Sequence, residues 1–161
     1  MHKHIVIVAL LFIGISCDQE RIYHQYKTIE GIGWDSDQKH VFEIQGLDSI
    51  QPYNLFITLR NNHQYPYSNL FLITKMNFPN GKEVTDTLEY NMAQPDGRWL
   101  GSGFGDVKEN KLWYKEDIRF RESGNYTFSI THAMRKNGNE KGDVILKGIT
   151  DVGLRVESTS K

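Results

Sequence analysis

The stretch NLFLITKMNFPNGKEVTDTLEY, residues 69–90, carries the clearest structural signal in the chain. Asn69 to Phe78 is almost wholly apolar at its start, as a central β-strand would be. Pro79-Asn80-Gly81-Lys82 then breaks the run, and Asn-Gly favours the positive φ angles of a tight hairpin. Val84, Asp86, Leu88 and Tyr90 continue at every second position, which reads as the returning strand.

The same period of two extends in both directions from this hairpin. Upstream, Phe42 and Ile44 alternate with Glu43 and Gln45. Tyr53, Leu55, Ile57 and Leu59 point one way while Asn54, Thr58 and Arg60 point the other. Downstream, Leu112, Tyr114, Ile118 and Phe120 share a face, as do Tyr126, Phe128 and Ile130. Val152, Leu154 and Val156 form a last strand against Asp151, Arg155 and Glu157. Seven or eight strands separated by turn signals predict an all-β domain, an antiparallel β-sandwich of jelly-roll type, over residues 39–161. Two short stretches, Tyr90 to Gln94 and Thr131 to Lys136, read as brief helices.

The N-terminus is of a different kind. Met1-His2-Lys3-His4 is followed by Ile5 to Ile15, apolar apart from one glycine, and then by Ser16-Cys17. The apolar run has signal-peptide length and falls short of the roughly 20 residues of a spanning helix. Cys17 is the only cysteine, so an intrachain disulfide is excluded, and a charged run, Asp18-Gln19-Glu20-Arg21, follows it. Length, flanks and cysteine count together read as a lipoprotein signal peptide over residues 1–16, with Cys17 as the lipid attachment site. Gly14 stands three before the cysteine, where leucine is usual; Ile15 and Ser16 fit. Residues 17–38 read as a tether and lead-in whose aromatics dock on the domain. Removing residues 1–16 takes Lys3 with them, leaving 18 basic against 20 acidic side chains and a formal charge of −2. No basic patch stands out, so nucleic acid is not an expected partner.

Catalytic and metal chemistry leave little trace. Gly101-Ser102-Gly103-Phe104-Gly105-Asp106 has no Walker lysine and opens no helix, so it reads as a tight loop with unusual backbone angles. His24, His40, His63 and His132 lie apart from one another and from carboxylates at metal-ligand spacing. Asp35-Ser36-Asp37 lacks the glycine and glutamate of an EF-hand, and no Gly-x-Ser-x-Gly elbow occurs. No enzyme activity, cofactor or metal is expected. Aromatic residues are the better lead: Tyr65-Pro66-Tyr67, Trp99, Phe104, Trp113 and Tyr114 fall in two segments. They fit either core packing or exposed contacts to protein or glycan. Tyr67 and Trp99, both among loop residues, are the candidate contacts. Exposed aromatics on a jelly roll also leave a carbohydrate-binding module open. A glycan hydrolase would further need two carboxylates facing across a cleft.

Several long blocks, in order, resemble one family. They are residues 52–61 continuing through Tyr65-Pro66-Tyr67-Ser68-Asn69-Leu70-Phe71, then Asp86-Thr87-Leu88-Glu89-Tyr90 and Pro95-Asp96-Gly97-Arg98-Trp99-Leu100-Gly101. Gly105-Asp106, Lys111-Leu112-Trp113-Tyr114-Lys115, Ile130-Thr131-His132-Ala133-Met134-Arg135 and Gly148-Ile149-Thr150-Asp151-Val152-Gly153-Leu154 complete them. These blocks, with the cysteine, look like the gliding-motility lipoprotein family GldH of Bacteroidetes, over nearly the whole chain. The resemblance implies a non-catalytic lipoprotein of the cell envelope, at the outer membrane. It also implies a need for it in surface gliding, and partners in the gliding and type IX secretion apparatus. Only Cys17 carries over with a defined role. Asp48-Ser49-Ile50 and Asp86-Thr87-Leu88 resemble the O-glycosylation sequon used in Bacteroidetes, and Ser49, in a predicted loop, is the better candidate site.

Overall fold

The computed structural model describes residues 21–135, 138 and 142–159. Ten strands run through them: β1 (Arg21–Thr28), β2 (Trp34–Asp35), β3 (His40–Ile44), β4 (Tyr53–Asn61), β5 (Asn69–Asn77), β6 (Glu83–Asn91), β7 (Lys108–Ile118), β8 (Tyr126–His132), β9 (Ile145–Leu146) and β10 (Ile149–Ser158). Two antiparallel four-stranded sheets form the sandwich, ordered β1-β10-β4-β7 and β3-β8-β5-β6; β2 pairs with β9 in a small third sheet.

With that small sheet set aside, the pairing is nested. β5 pairs with β6, β4 with β7, β3 with β8 and β1 with β10. The chain is one long hairpin rolled on itself, which is jelly-roll wrapping as expected. Its tip is the turn read from Asn80-Gly81. Gly81 takes φ 85°, its N–H reaches the Phe78 carbonyl at 2.9 Å, and Phe78 N–H reaches the Lys82 carbonyl at 2.8 Å.

Alternation explains the core. Tyr53, Leu55, Ile57 and Leu59 on β4 point inward beside Val152, Leu154 and Val156 on β10. Phe42 and Ile44, Leu70, Leu72 and Met76, and Phe128 and Ile130 meet them from the second sheet, all buried. Phe120 packs edge-on to Tyr126 at 4.7 Å and lies near Tyr53 at 5.9 Å, sealing one end. The sandwich edges are clasped by side chains. Tyr90 donates to the Trp113 carbonyl at 2.6 Å, and Tyr114 donates to Asp86 at 3.0 Å. Lys115 pairs with the same carboxylate at 2.8 Å. Burial pushes the Tyr90 phenol up to about 12, so it stays a neutral donor.

Three details differ from the sequence reading. First, both expected helices are strand ends. Tyr90 and Asn91 close β6, and Gln94 opens a turn in which Gly97 N–H reaches its carbonyl at 2.9 Å. Thr131 and His132 close β8, while Lys136 lies outside the described residues. Cross-strand pairs such as Leu70 with Tyr90 and Leu72 with His132 outweigh weak local preference. Second, within the stretch read as tether and domain entry, Arg21–Thr28 forms β1, which completes the edge beside β10. Third, Phe56 is buried although it points away from the core, covered by the Trp113 ring at 4.4 Å and by Lys111 Nζ at 4.0 Å.

Trp34 links the sheets to the β2–β9 pair. It is fully buried, donates from Nε1 to the Gln38 carbonyl at 3.0 Å, and meets His40 and His132 edge-on at 5.2 and 5.3 Å. His132 Nε2 donates to the Trp34 carbonyl at 3.0 Å, and its Nδ1 accepts from Met134 N–H at 3.4 Å. The second contact needs the neutral ring protonated on Nε2, because an imidazolium has no acceptor nitrogen. His40 is equally buried, with no hydrogen-bond partner for Nε2. Burial pushes both imidazoles below their usual pKa.

Two predictions follow from this packing. Gly148 has φ 80°, and a Cβ there would run into the backbone of Tyr65. Gly148→Ala is expected to cost more than about 2 kcal/mol in urea unfolding, because left-handed strain adds to the clash. The two buried histidines bind protons more readily in the unfolded chain. Stability should therefore be full above the unfolded imidazole value of about 6.5 and fall as pH drops below it. Melting curves from pH 8 down to pH 5 should show this loss, and His40→Leu should flatten it; an unchanged slope would refute the assignment.

Candidate partner-binding surfaces

Strand direction sorts the loops to two ends. Asn61 pairs with Lys108 and Ile149, and Thr28 with Asp151, so the end of β4, the start of β7, the start of β10 and the end of β1 lie together. The connections holding Ile32, Tyr65, Trp99 and Val144 emerge there. Arg21 pairs with Glu157 at the opposite end, near the β3–β4 loop.

Tyr65 organises the first end. It is buried, and its hydroxyl donates to the Asn69 carbonyl at 2.6 Å. The Tyr67 ring lies 5.9 Å from it, nearly perpendicular, and the Trp99 ring lies 6.0 Å away. Trp99 is further held by a bridge to Ala93. The two residues expected as loop contacts are thus brought to one support, and both are half-buried against the core rather than free. Tyr67 donates to Asp143, and that bond to a carboxylate, with some burial, pushes its phenol up to about 12. Its hydrogen is therefore committed to Asp143 throughout the neutral range.

Tyr67 lines an open groove of about 770 Å³ with Phe71, Glu89, Asn91, Met134 and Arg135. A neighbouring depression of about 510 Å³ shares Phe71, Met134 and Arg135 and adds Asp143. Trp99 lines neither. Among the described residues the two grooves bring one carboxylate each, Glu89 and Asp143, and Asp143 is engaged by Tyr67. Among the described residues no three His, Asp or Glu side chains are grouped to hold a metal.

Ser49 sits on an exposed turn at the opposite end, where Ile50 N–H reaches the Asp48 carboxylate at 2.8 Å and Asp48 N–H reaches the Tyr53 hydroxyl at 2.9 Å. Thr87, the other sequon position, lies within β6. Cys17 lies outside the described residues.

Two aromatics that the sequence grouped with Tyr67 and Trp99, but did not single out as contacts, are the ones the fold exposes. Trp113 is 55% exposed on the outer face of β7, in a row with Phe56, Lys111, Arg155 and Glu157. There Glu157 accepts from Lys111 at 2.7 Å and from Arg155. Phe104 stands at the tip of the glycine-rich loop, fully exposed. Neither could be separated from core aromatics by composition. For Trp113 the signal was its place out of phase with Leu112 and Tyr114 on an alternating strand. The loop itself matches its reading, with Gly103 at φ 135° and Gly105 at φ 72°. It also brings together residues that sequence spacing kept apart. Asp106 accepts from His63 N–H at 3.1 Å and contacts His63 Nδ1 at 2.7 Å, and the bond to the His63 side chain holds its carboxyl below the usual range.

The fold has a likeness to a solved structure of infectious bursal disease virus, Gx strain, at TM-score 0.37 and 12% identity, covering 84% of this chain and 29% of that one. The gliding motility lipoprotein GldH homolog of Christiangramia forsetii is 52% identical over 154 residues, 96% of this chain and 94% of that protein. The gliding motility lipoprotein GldH of Flavobacterium johnsoniae is 46% identical over 153 residues, 95% and 94% of the two chains. The family described as GldH lipoprotein matches residues 21–156, so β1 through nearly all of β10 is accounted for, and the chain belongs to the GldH lipoprotein family.

Proposed function

We propose that this protein is a lipid-anchored, non-catalytic component of the gliding and type IX secretion apparatus, held at the outer membrane through Cys17. The observation that carries this reading is 46–52% identity to two proteins named as gliding motility lipoproteins, over 94% of the length of each. The lipobox-like run ending at Cys17 supports the anchor. The mechanism is tethering. Each buried methylene of a lipid contributes roughly 0.8 kcal/mol, so several acyl chains hold a domain firmly where one would not. Confinement to a surface then raises the domain's effective concentration for other envelope proteins, with no further contact needed. The clasped edges and continuous core suit a rigid spacer that positions surfaces rather than one that turns over substrate.

A carbohydrate-binding reading draws on the groove beside Tyr67, which sets Asn91, Glu89 and Arg135 with the rings of Tyr67 and Phe71. It is the weaker of the two, because Trp99 does not join that groove.

Cys17→Ser is expected to abolish labelling by a palmitate analogue, release the protein from the membrane fraction, and fail to restore colony spreading to a deletion strain. Labelling that survives the substitution would remove the anchor, and normal spreading by the deletion strain would remove the gliding role. The groove is tested separately by titrating envelope polysaccharide. No heat of binding is expected, and a saturable signal lost in Tyr67→Ala would favour the glycan reading.

A further inference from the structure

We propose that the loop carrying Phe104 is a docking finger that inserts into an apolar pocket of a second envelope protein, at the end of the domain remote from the membrane anchor. The inference rests on the anchoring reading above and adds the surface through which the anchored domain works.

Exposure is the first support. Phe104 is 105% exposed, the highest value among the large apolar side chains of the described residues. Leu100 at 51% and Val107 at 42% flank it in the same connection. A Phe ring left in water forgoes the free energy of burial, which a binding pocket would recover.

The loop is also built to hold that ring in place. Ser102 and Glu109 exchange backbone hydrogen bonds at 2.9 and 2.8 Å. Lys108 Nζ donates to the Gly103 carbonyl at 2.6 Å, Leu100 N–H reaches the Met92 carbonyl at 2.9 Å, and Asp106 is clasped by His63. A preorganised loop loses little further entropy on binding, which is how a small contact reaches useful affinity.

Position chooses the partner. The eight residues of β1 span about 26 Å at about 3.3 Å each and separate Arg21 from the loop end. Residues 18–20 can add about 14 Å of reach between Cys17 and Arg21. An anchor on Cys17 therefore holds the Arg21 end near lipid and directs the Phe104 end towards other proteins. The charges agree: Asp96 and Arg98 pair at 2.8 Å in the same connection, Asp106 pairs with His63, and Lys108 follows at the start of β7. Mixed charge around an apolar centre matches a protein interface, whereas an anionic bilayer would call for a cationic surplus.

The test places a photo-crosslinking phenylalanine analogue at position 104 of the full, lipidated chain in cells. A second strain carries the analogue at position 50, where Ile50 is 77% exposed at the opposite end. One discrete heterologous protein adduct is expected from position 104. It should be absent from position 50 and reduced at least tenfold when Leu100→Asp and Val107→Asp are added. Phe104→Asp should keep the wild-type melting temperature and membrane fraction while losing partner co-purification. Adducts with lipid alone, a homodimer, equal adducts from position 50, or undiminished co-purification would overturn the finger. A site-specific adduct in a strain whose spreading does not depend on this protein would instead overturn the gliding role and leave the finger standing.

Discussion

Strand β10 is the element on which the rest of the structure depends. It lies between β1 and β4, so the last of the described strands joins the first of them to the middle. Thr28 and Asp151, 123 residues apart, meet across this pairing with a side-chain hydrogen bond of 2.9 Å. Val152, Leu154 and Val156 supply the inward face of the first sheet. On the outward face Gly153 leaves room that Thr58 and Tyr26 fill closely, and Arg60 then lies 4.2 Å over the Tyr26 ring. Without β10 the sheet would divide into a lone β1 and a β4–β7 ribbon, and two-stranded ribbons are marginal in water.

This closure also decides which loops share an end. Because β1 runs with its start beside the end of β10, the chain enters at the end occupied by the β3–β4 turn and Ser49. The connections bearing Ile32, His63, Phe104 and Val144 gather at the other. Nested antiparallel pairing thus produces polarity. One end receives the lead-in from the proposed anchor, and the other offers apolar side chains held on hydrogen-bonded turns. In a protein whose proposed work is to position partners, that division between tether and contact is the useful property of the fold.

The aromatics show why residue type alone does not reveal role. Tyr65, Tyr67, Trp99, Phe104 and Trp113 have similar chemistry, yet they take four different positions. Tyr65 is a buried support whose hydroxyl satisfies a backbone carbonyl. Tyr67 and Trp99 lean on it, half-covered. Trp113 shields Phe56 while keeping one face in solvent, and Phe104 touches open water on all sides. The two aromatics chosen from their loop setting prove less free than the two passed over. A loop residue beside Tyr65 has a core to lean on, while a residue between Gly103 and Gly105 projects beyond it.

The sequence by itself determined seven of the ten described strands, β3 to β8 and β10, together with the hairpin tip at Asn80-Gly81 and the sandwich class, because inward and outward residues alternate with a period that only a pleated strand satisfies. It also carries the proposed export signal and the proposed anchor at Cys17, since those are read from a local order of residue types. Tertiary structure alone decided that β1 belongs to the sheet, that Tyr90–Gln94 and Thr131–His132 do not form helices, and that His63 clasps Asp106. Each of those outcomes depends on a neighbour distant in the chain. Local pattern sets which face a residue turns, but what covers that face is set by strands that meet only when the hairpin is rolled.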